Sequence, residues 1–161
     1  MPPSATAPVT SPAIEAFVRL VRANAAVTRQ LSAQLSADHG LNLSAYEALL
    51  NLARAPESRL RRVDLANNLL LTAGGVTRLL DGLERDDFVA REECSSDRRV
   101  SYAVLTEAGR DKLREASKSH VKQIEELLGG PYEDGELAQL VALLDRLPGV
   151  DPTADDSCEI D

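Results

Sequence analysis

Two short amphipathic segments separated by a short break, and followed by an alternating pattern, constrain the fold of this chain most. Residues 62–70 and 73–85 each place apolar side chains on one helical face, and Thr72 between them is a favoured helix N-cap. The apolar positions are Val63, Leu65, Ala66 and Leu69, then Val76, Leu79, Leu80 and Leu83. Residues 89–93 and 100–105 alternate around a turn-rich segment, which predicts a β-hairpin. A helix-turn-helix followed by a hairpin predicts a winged helix.

Long helical segments flank this unit on both sides. Residues 13–37 have helical apolar periodicity, and Gly40 is a typical helix end. At ~1.5 Å per residue such a helix is ~37 Å long, which is long for a chain of 17.4 kDa. It is therefore expected to pack against something outside its own monomer. Two more helices are predicted at 107–128, after the cap residue Thr106, and at about 133–147.

A shorter helix is predicted between the first long helix and the helix-turn-helix. Ser44 and Glu47 have the spacing of a capping box, in which Ser44 caps the helix start and Glu47 reaches back. The helix runs to about residue 53, before Pro56. Residues 59–61 are too short for their own pattern to predict a structure. The fold class is mainly α with a small β-hairpin wing (α+β), and no internal repeat is visible.

Composition excludes several classes of protein. The 161 residues contain no run of 18 apolar residues, and the amino terminus lacks the basic and apolar regions of a signal peptide. A cytoplasmic protein with no membrane partner is therefore expected. Two cysteines and two histidines are too few for a disulfide framework or a spaced metal cluster, so no cofactor is expected. Three tyrosines, two phenylalanines and no tryptophan disfavour a protein that stacks single-stranded bases.

The distribution of charge is more informative than its sum. The net charge of −8 disfavours DNA, but residues 54–110 contain ten arginines and ten acidic residues and are neutral overall. Every basic residue of that segment is arginine, which suits bidentate contacts with phosphate and guanine. Replacement of lysine by arginine in a GC-rich genome would explain the same composition. The acidity lies outside the segment, in part in the tail from residue 151 onward.

The second helix of the pair has small or polar residues in its N-terminal half. Besides its apolar positions it offers Thr72, Ala73, Gly74, Gly75, Thr77 and Arg78. Two glycines in a first turn cost about 1 kcal/mol each relative to alanine. Close approach of the helix to DNA in the major groove accounts for that cost, and simple fraying of the helix start is the alternative.

The hairpin tip carries Asp97, Arg98 and Arg99. An arginine on a projecting wing suits the narrow minor groove, where the negative potential is strongest. Asp97 would then hold a neighbouring arginine through a charge-assisted hydrogen bond. An ordinary solvated charged turn is the alternative explanation.

Residues 43–109 resemble the MarR family of bacterial winged-helix transcription regulators. The similar stretches are residues 43–49, the Val-Asp-Leu-Ala of 63–66, the Thr-Ala-Gly-Gly-Val-Thr-Arg-Leu-Leu-Asp-Gly-Leu-Glu of 72–84, and the Asp-Arg-Arg of 97–99 leading to Leu-Thr-Glu-Ala-Gly at 105–109. With the flanking helices, the resemblance covers about residues 13–147. Each stretch is weak alone, but their order and spacing together are specific.

The resemblance implies a homodimer that binds pseudo-palindromic double-stranded DNA operators, with flanking dimerisation helices. It implies a dimerisation helix at 13–40, the DNA-binding domain at 41–106 and dimerisation helices at 107–148. Composition predicts a disordered arm at 1–12, which is rich in proline and uncharged, and an acidic disordered tail at 149–161. The resemblance places Thr72, Gly75, Thr77 and Arg78 in the major groove. Arg99 would enter the minor groove, oriented by Asp97, while Arg98 would contact a phosphate. Ser44 would cap a helix near a phosphate.

The resemblance further implies a repressor released by a small phenolic or aromatic acid. Two alternatives stay open. The first is a helical protein-interaction module that kept the fold but lost DNA binding, for which the net charge is the argument. The second is a regulator that senses oxidants through Cys94, although no histidine or lysine stands beside it to lower its pKa. An enzyme is not expected, because a wing-tip cysteine is poorly shielded from water.

Overall fold

Helices α3 and α4 form the predicted helix-turn-helix. The computed structural model describes residues 11–93, 100–133 and 135–150. α3 spans Arg62–Asn68 and α4 spans Ala73–Arg85. The Thr72 hydroxyl accepts the Gly75 N–H at 3.1 Å, which confirms the predicted N-cap. α3 is two residues shorter than predicted because the chain turns at Leu70, which has a φ of 53°.

The predicted hairpin is present, and it belongs to a three-stranded antiparallel sheet. β2 (Val89–Glu93) pairs with β3 (Ser101–Leu105), from Val89 opposite Leu105 to Glu93 opposite Ser101. Arg59–Arg61 forms β1, which pairs with the other edge of β3 and gives the order β1-β3-β2. Three residues form a strand here because β3 supplies the hydrogen-bonding partner, which no local pattern can reveal.

Helix α1 spans Pro12–His39 and is slightly longer than predicted. The Ser11 hydroxyl accepts the Ile14 N–H at 3.3 Å, and Gly40 ends the helix with a φ of 69°. Pro12 is helical, so the predicted arm is too long at this end, and residues 1–10 lie outside the described part of the chain.

Helix α2 spans Leu43–Arg54, and its predicted capping box is wrong. The Asn42 side chain accepts the Ala45 N–H at 2.8 Å and is the N-cap. Ser44 lies inside the first turn, because the helix begins one residue before it. Asparagine is as good a cap as serine, so residue type alone could not decide between Asn42 and Ser44.

Of the two C-terminal helical segments, the first matches its predicted range and the second is shorter than predicted. α5 spans Glu107–Ile124, capped by Thr106, and continues as a π-helical turn over Glu125–Gly129. α6 spans Glu136–Leu144, and the chain beyond it turns rather than remaining helical. Gly135, with a φ of 86°, sets the start of α6. Apolar periodicity therefore overestimated α6 at both of its ends.

The core lies around α2, which packs against α3, α4, α5 and the sheet. Its largest fully buried side chains are Tyr46, Leu35, Leu49, Leu52, Leu65, Leu80 and Leu113. Val63 is 57% exposed, so its predicted place on the apolar face of α3 is wrong. At ~100° per residue, Val63 points ~200° away from Leu65, which faces the core.

A buried polar cluster joins α2 to α5. The Tyr46 and Ser117 hydroxyls are 3.0 Å apart, and Ser117 donates to the Leu113 carbonyl at 2.8 Å. The Tyr46 ring centroid lies 4.5 Å from that of His120, which is 3% exposed. Burial lowers the pKa of His120 from its ordinary value of 6.5, because desolvation penalises the imidazolium. His120 is therefore neutral in the folded protein at neutral pH.

The lowered pKa of His120 predicts that stability falls as the pH drops. Below pH ~6.5 the unfolded chain binds a proton at this histidine that the folded protein resists, so protonation favours unfolding until the folded pKa is passed. Thermal unfolding between about pH 7.5 and 5 should show a declining Tm. His120→Leu should decline less steeply, and since His39 remains in both proteins, the difference isolates His120. Parallel profiles would contradict this role.

Candidate nucleic-acid interface

The N-terminal half of α4 is an exposed surface of small side chains and one arginine. Thr72, Ala73, Gly74 and Arg78 are exposed, while Gly75 is half-buried. A Cβ on Gly74 would meet no atom within 4 Å, whereas one on Gly75 would lie 3.3 Å from the Thr72 hydroxyl. The cap bond holds both glycines within the helix. Packing within the protein therefore does not require glycine at position 74, and its backbone is open to solvent.

The charges of α4 are divided between its two halves. Arg91 of β2 pairs with Asp81 at 3.3 Å and with Glu84 at 2.9 Å, so the two acids of the C-terminal half share one arginine. Among the described residues, no carboxylate lies within 4 Å of Arg78 in the N-terminal half. The exposed start of α4 is therefore positive and its end is not. Sequence reasoning missed Arg91, and the only hint was two acids spaced three apart on one helix.

The Thr77 hydroxyl is occupied within the protein. It donates to the Ala73 carbonyl at 2.7 Å and accepts from the Arg62 Nη2 at 2.5 Å. Thr77 is half-buried and faces α3, whereas Arg78 beside it is exposed. Arg62, the first residue of α3, is a second residue that sequence reasoning missed. Nothing in its local sequence distinguishes it from Arg61, which bonds Asp64 at 2.6 and 3.0 Å instead.

The other predicted site residues are not brought together with α4 by the described contacts. Ser44 is half-buried in the first turn of α2. Asp97, Arg98 and Arg99, like Cys94, lie outside the described residues. The strands that bound this loop are described, and Arg91 ties the first of them to α4. The hairpin base is thus positioned relative to α4 by ion pairs as well as by packing.

The described residues form neither a metal-ligand group nor a membrane-spanning helix. Across residues 11–93, 100–133 and 135–150, no group of three or more His, Cys, Asp or Glu side chains is arranged to hold a metal ion. Over the same ranges, no helix combines the length and apolar character that crossing a membrane requires.

Comparison with known proteins gives consistent results. A model of the MarR family matches residues 39–100. The HTH-type transcriptional regulator YkoM of Bacillus subtilis is 33% identical over 111 residues, which cover 69% of this chain and 70% of YkoM. The HTH-type transcriptional repressor YetL of the same organism is 32% identical over 69% of this chain and 66% of YetL. The structure of Sco3205, a MarR family transcriptional regulator from Streptomyces coelicolor in complex with DNA, is 27% identical with a TM-score of 0.74, covering 83% of this chain and 88% of that one.

The chain is a winged-helix transcriptional regulator rather than an enzyme. Its helix-turn-helix, the hairpin beside it and the positive start of α4 are the features of that class. The identity to YkoM and the match over residues 39–100 specify the group further: the chain belongs to the MarR family.

Proposed function

We propose that this chain is a homodimeric, sequence-specific regulator that binds a pseudo-palindromic operator in duplex DNA, in the bacterial cytoplasm. The observation that carries the proposal is the start of α4, where open backbone at Gly74 lies beside an arginine that no described carboxylate neutralises. A helix with this surface fits the ~12 Å major groove, and Arg78 suits guanine. The complex of Sco3205 with DNA supports the same role for this fold.

The remaining predicted contacts follow from this placement. With α4 in the major groove, the hairpin reaches toward the adjacent minor groove, where Arg99 would insert, oriented by Asp97. Arg98 and Ser44 would contact phosphates, and Thr72 and Gly75 would lie at the groove edge. Thr77 reaches DNA only if its bonds to Arg62 and Ala73 are given up.

The homodimer is supported by apolar helices that their own chain leaves uncovered. Residues 11–25 are exposed throughout, although α1 places Ile14, Phe17, Val18 and Val21 on one face. α6 has no buried residue, and Val141 and Leu143 are more than half exposed. A second copy would cover both helices, so we assign 13–40 and 107–148 to dimerisation and 41–106 to DNA binding.

Repression and release by an effector complete the proposal. The repressor YetL supports the direction of regulation. Two recognition helices must sit about 34–36 Å apart to reach successive major grooves, so a small aromatic or phenolic acid that favours another spacing would release DNA. His39 and Tyr46 lie at the junction of α1, α2 and α5, and both already make side-chain hydrogen bonds there.

Selection of bound sequences from random duplex DNA tests the proposal. The wild-type protein should enrich a pseudo-palindrome, and its affinity should fall steeply with salt. Arg78→Ala should lose about 1–3 kcal/mol and relax the preference at one position in each half-site. Arg19→Ala, which removes an exposed arginine from the face of α1 opposite Ile14 and Phe17, is the matched control and should change neither. Absence of any enriched sequence at low ionic strength would overturn the proposal.

A further inference from the structure

A cleft of about 540 Å³ lies between α3, α4 and the start of β3. Arg61 at the end of β1 and Arg62 at the start of α3 line it on one side, Ala73 and Thr77 line it from α4, and Val100 and Ser101 close the third side. The last two residues directly follow the hairpin loop. The cleft therefore occupies the corner between the exposed start of α4 and the base of the wing.

Of the two arginines that line this cleft, Arg62 is the one that no described carboxylate neutralises. Arg61 is paired with Asp64, whereas no carboxylate of the described chain lies within 4 Å of Arg62. Its Nη2 is held by the Thr77 hydroxyl at 2.5 Å, and its Nε is buried with no acceptor. The hydroxyl of Ser101 is also buried with no partner in the described structure. Arg62 and Ser101 thus line the same cleft, and each has one unsatisfied polar atom buried beside it.

This set of groups suits an anionic oxygen ligand. A buried donor without an acceptor is costly, because it has lost its water without gaining a protein partner. The planar guanidinium presents donors that match the oxygens of a phosphate, and a hydroxyl can donate beside it. A phosphodiester in the cleft would pair with the Arg62 guanidinium, and it would reach the buried Arg62 Nε and Ser101 hydroxyl only after their side chains turn toward the cleft.

We propose that this cleft binds one phosphate of the DNA backbone, with Arg62 as the binding residue and Thr77 as its positioning residue. The inference rests on the proposed function, which places α4 in the major groove and the wing in the next minor groove. A single sugar-phosphate strand separates two adjacent grooves. The corner between α4 and the wing must face that strand, and the cleft lies in that corner.

Titration of DNA binding against salt tests the inference, using the enriched operator and an unrelated duplex. Arg62→Met keeps the aliphatic stem and removes the cation. It should weaken binding to both duplexes by about tenfold and lower the slope of log K against log[salt] by about 0.9 for each subunit that loses a contact. Arg19→Met removes the same charge from the face of α1 opposite Phe17 and should leave both the affinity and the slope unchanged. A thermal melt of each variant records the folding effect separately.

Thr77→Val separates positioning from direct contact, because valine preserves the shape and removes the hydroxyl. If Thr77 acts through Arg62, Thr77→Val should weaken DNA binding of the otherwise wild-type protein by about threefold, less than the ~10-fold loss for Arg62→Met. Added to Arg62→Met, Thr77→Val should cause no further loss. An equal loss in both backgrounds would mean that Thr77 itself contacts DNA.

The two proposals fail differently. A wild-type protein that binds no duplex removes the proposed function. A wild-type protein that binds its operator while Arg62→Met keeps both affinity and salt slope removes the phosphate site alone.

Discussion

Replacing Phe17 and Val21 of α1 with glutamate is expected to convert the protein to a monomer that binds its operator at least ~100-fold more weakly. These side chains are 65% and 51% exposed and belong to the apolar face that a second copy would cover. Two buried, unpaired carboxylates on each subunit would oppose association. Binding both half-sites at once contributes about 10²–10⁴ in affinity, and a monomer loses that contribution. Light scattering at micromolar concentration and operator titration measure the two effects.

The matched control places the same charges on the opposite face of the same helix. Ala16 and Ala23 lie ~180° from the apolar face, and both are exposed. Ala16→Glu with Ala23→Glu should remain dimeric and bind DNA normally. A dimeric Phe17→Glu/Val21→Glu protein would show that this part of α1 is not the interface.

Gly109→Ala is expected to destabilise the fold by about 3 kcal/mol, the upper end of overpacking effects. A Cβ there would lie 2.1 Å from the Phe88 carbonyl oxygen and 2.9 Å from Leu105 Cδ1. That carbonyl also accepts the Thr106 N–H at 3.1 Å, so the first turn of α5 cannot move away without losing a hydrogen bond. Thermal or urea unfolding measures the loss, which corresponds to a fall in Tm of about 10 °C for a chain of this size.

Gly82→Ala is the control, and the expected effect has the opposite sign. A Cβ on Gly82 would meet no atom within 4 Å, and alanine favours the interior of α4 by about 0.5–1 kcal/mol. Equal stability of the Gly109→Ala and wild-type proteins would mean that the contact between α5 and Phe88 adjusts freely.

The predictable parts of the fold are those set by local chemistry. The cap at Thr72, the end of α1 at Gly40 and the two strands of the hairpin each depend on residues close in the sequence, and the structure confirms them. The alternation predicted for β2 is absent, because Val89 alone of its five residues is buried. Errors occur where two local choices are nearly equal, as with Asn42 and Ser44. They also occur where the apolar periodicity continues past the ends of a helix, as in α6.

The candidate site likewise has features that were predictable from local sequence and features that were not. The presence of Arg78 on an exposed turn of α4 was predictable from helical periodicity. The engagement of Thr77 by Arg62 was not, because it joins residues 15 positions apart on different helices. The ion pairs of Arg91 with Asp81 and Glu84 were not predictable either, because they depend on the angle between β2 and α4.

By itself, the sequence determined the order of the elements, the helix-turn-helix spacing and the arginine-rich composition of the middle segment. Only the tertiary structure decided which arginines are neutralised: Arg59, Arg61 and Arg91 lie within 4 Å of carboxylates, and Arg62 faces a cleft without one in the described chain. The reason is physical. Capping and periodicity act over one or two turns of chain, whereas the pairing of charges depends on distances between elements that only folding brings together.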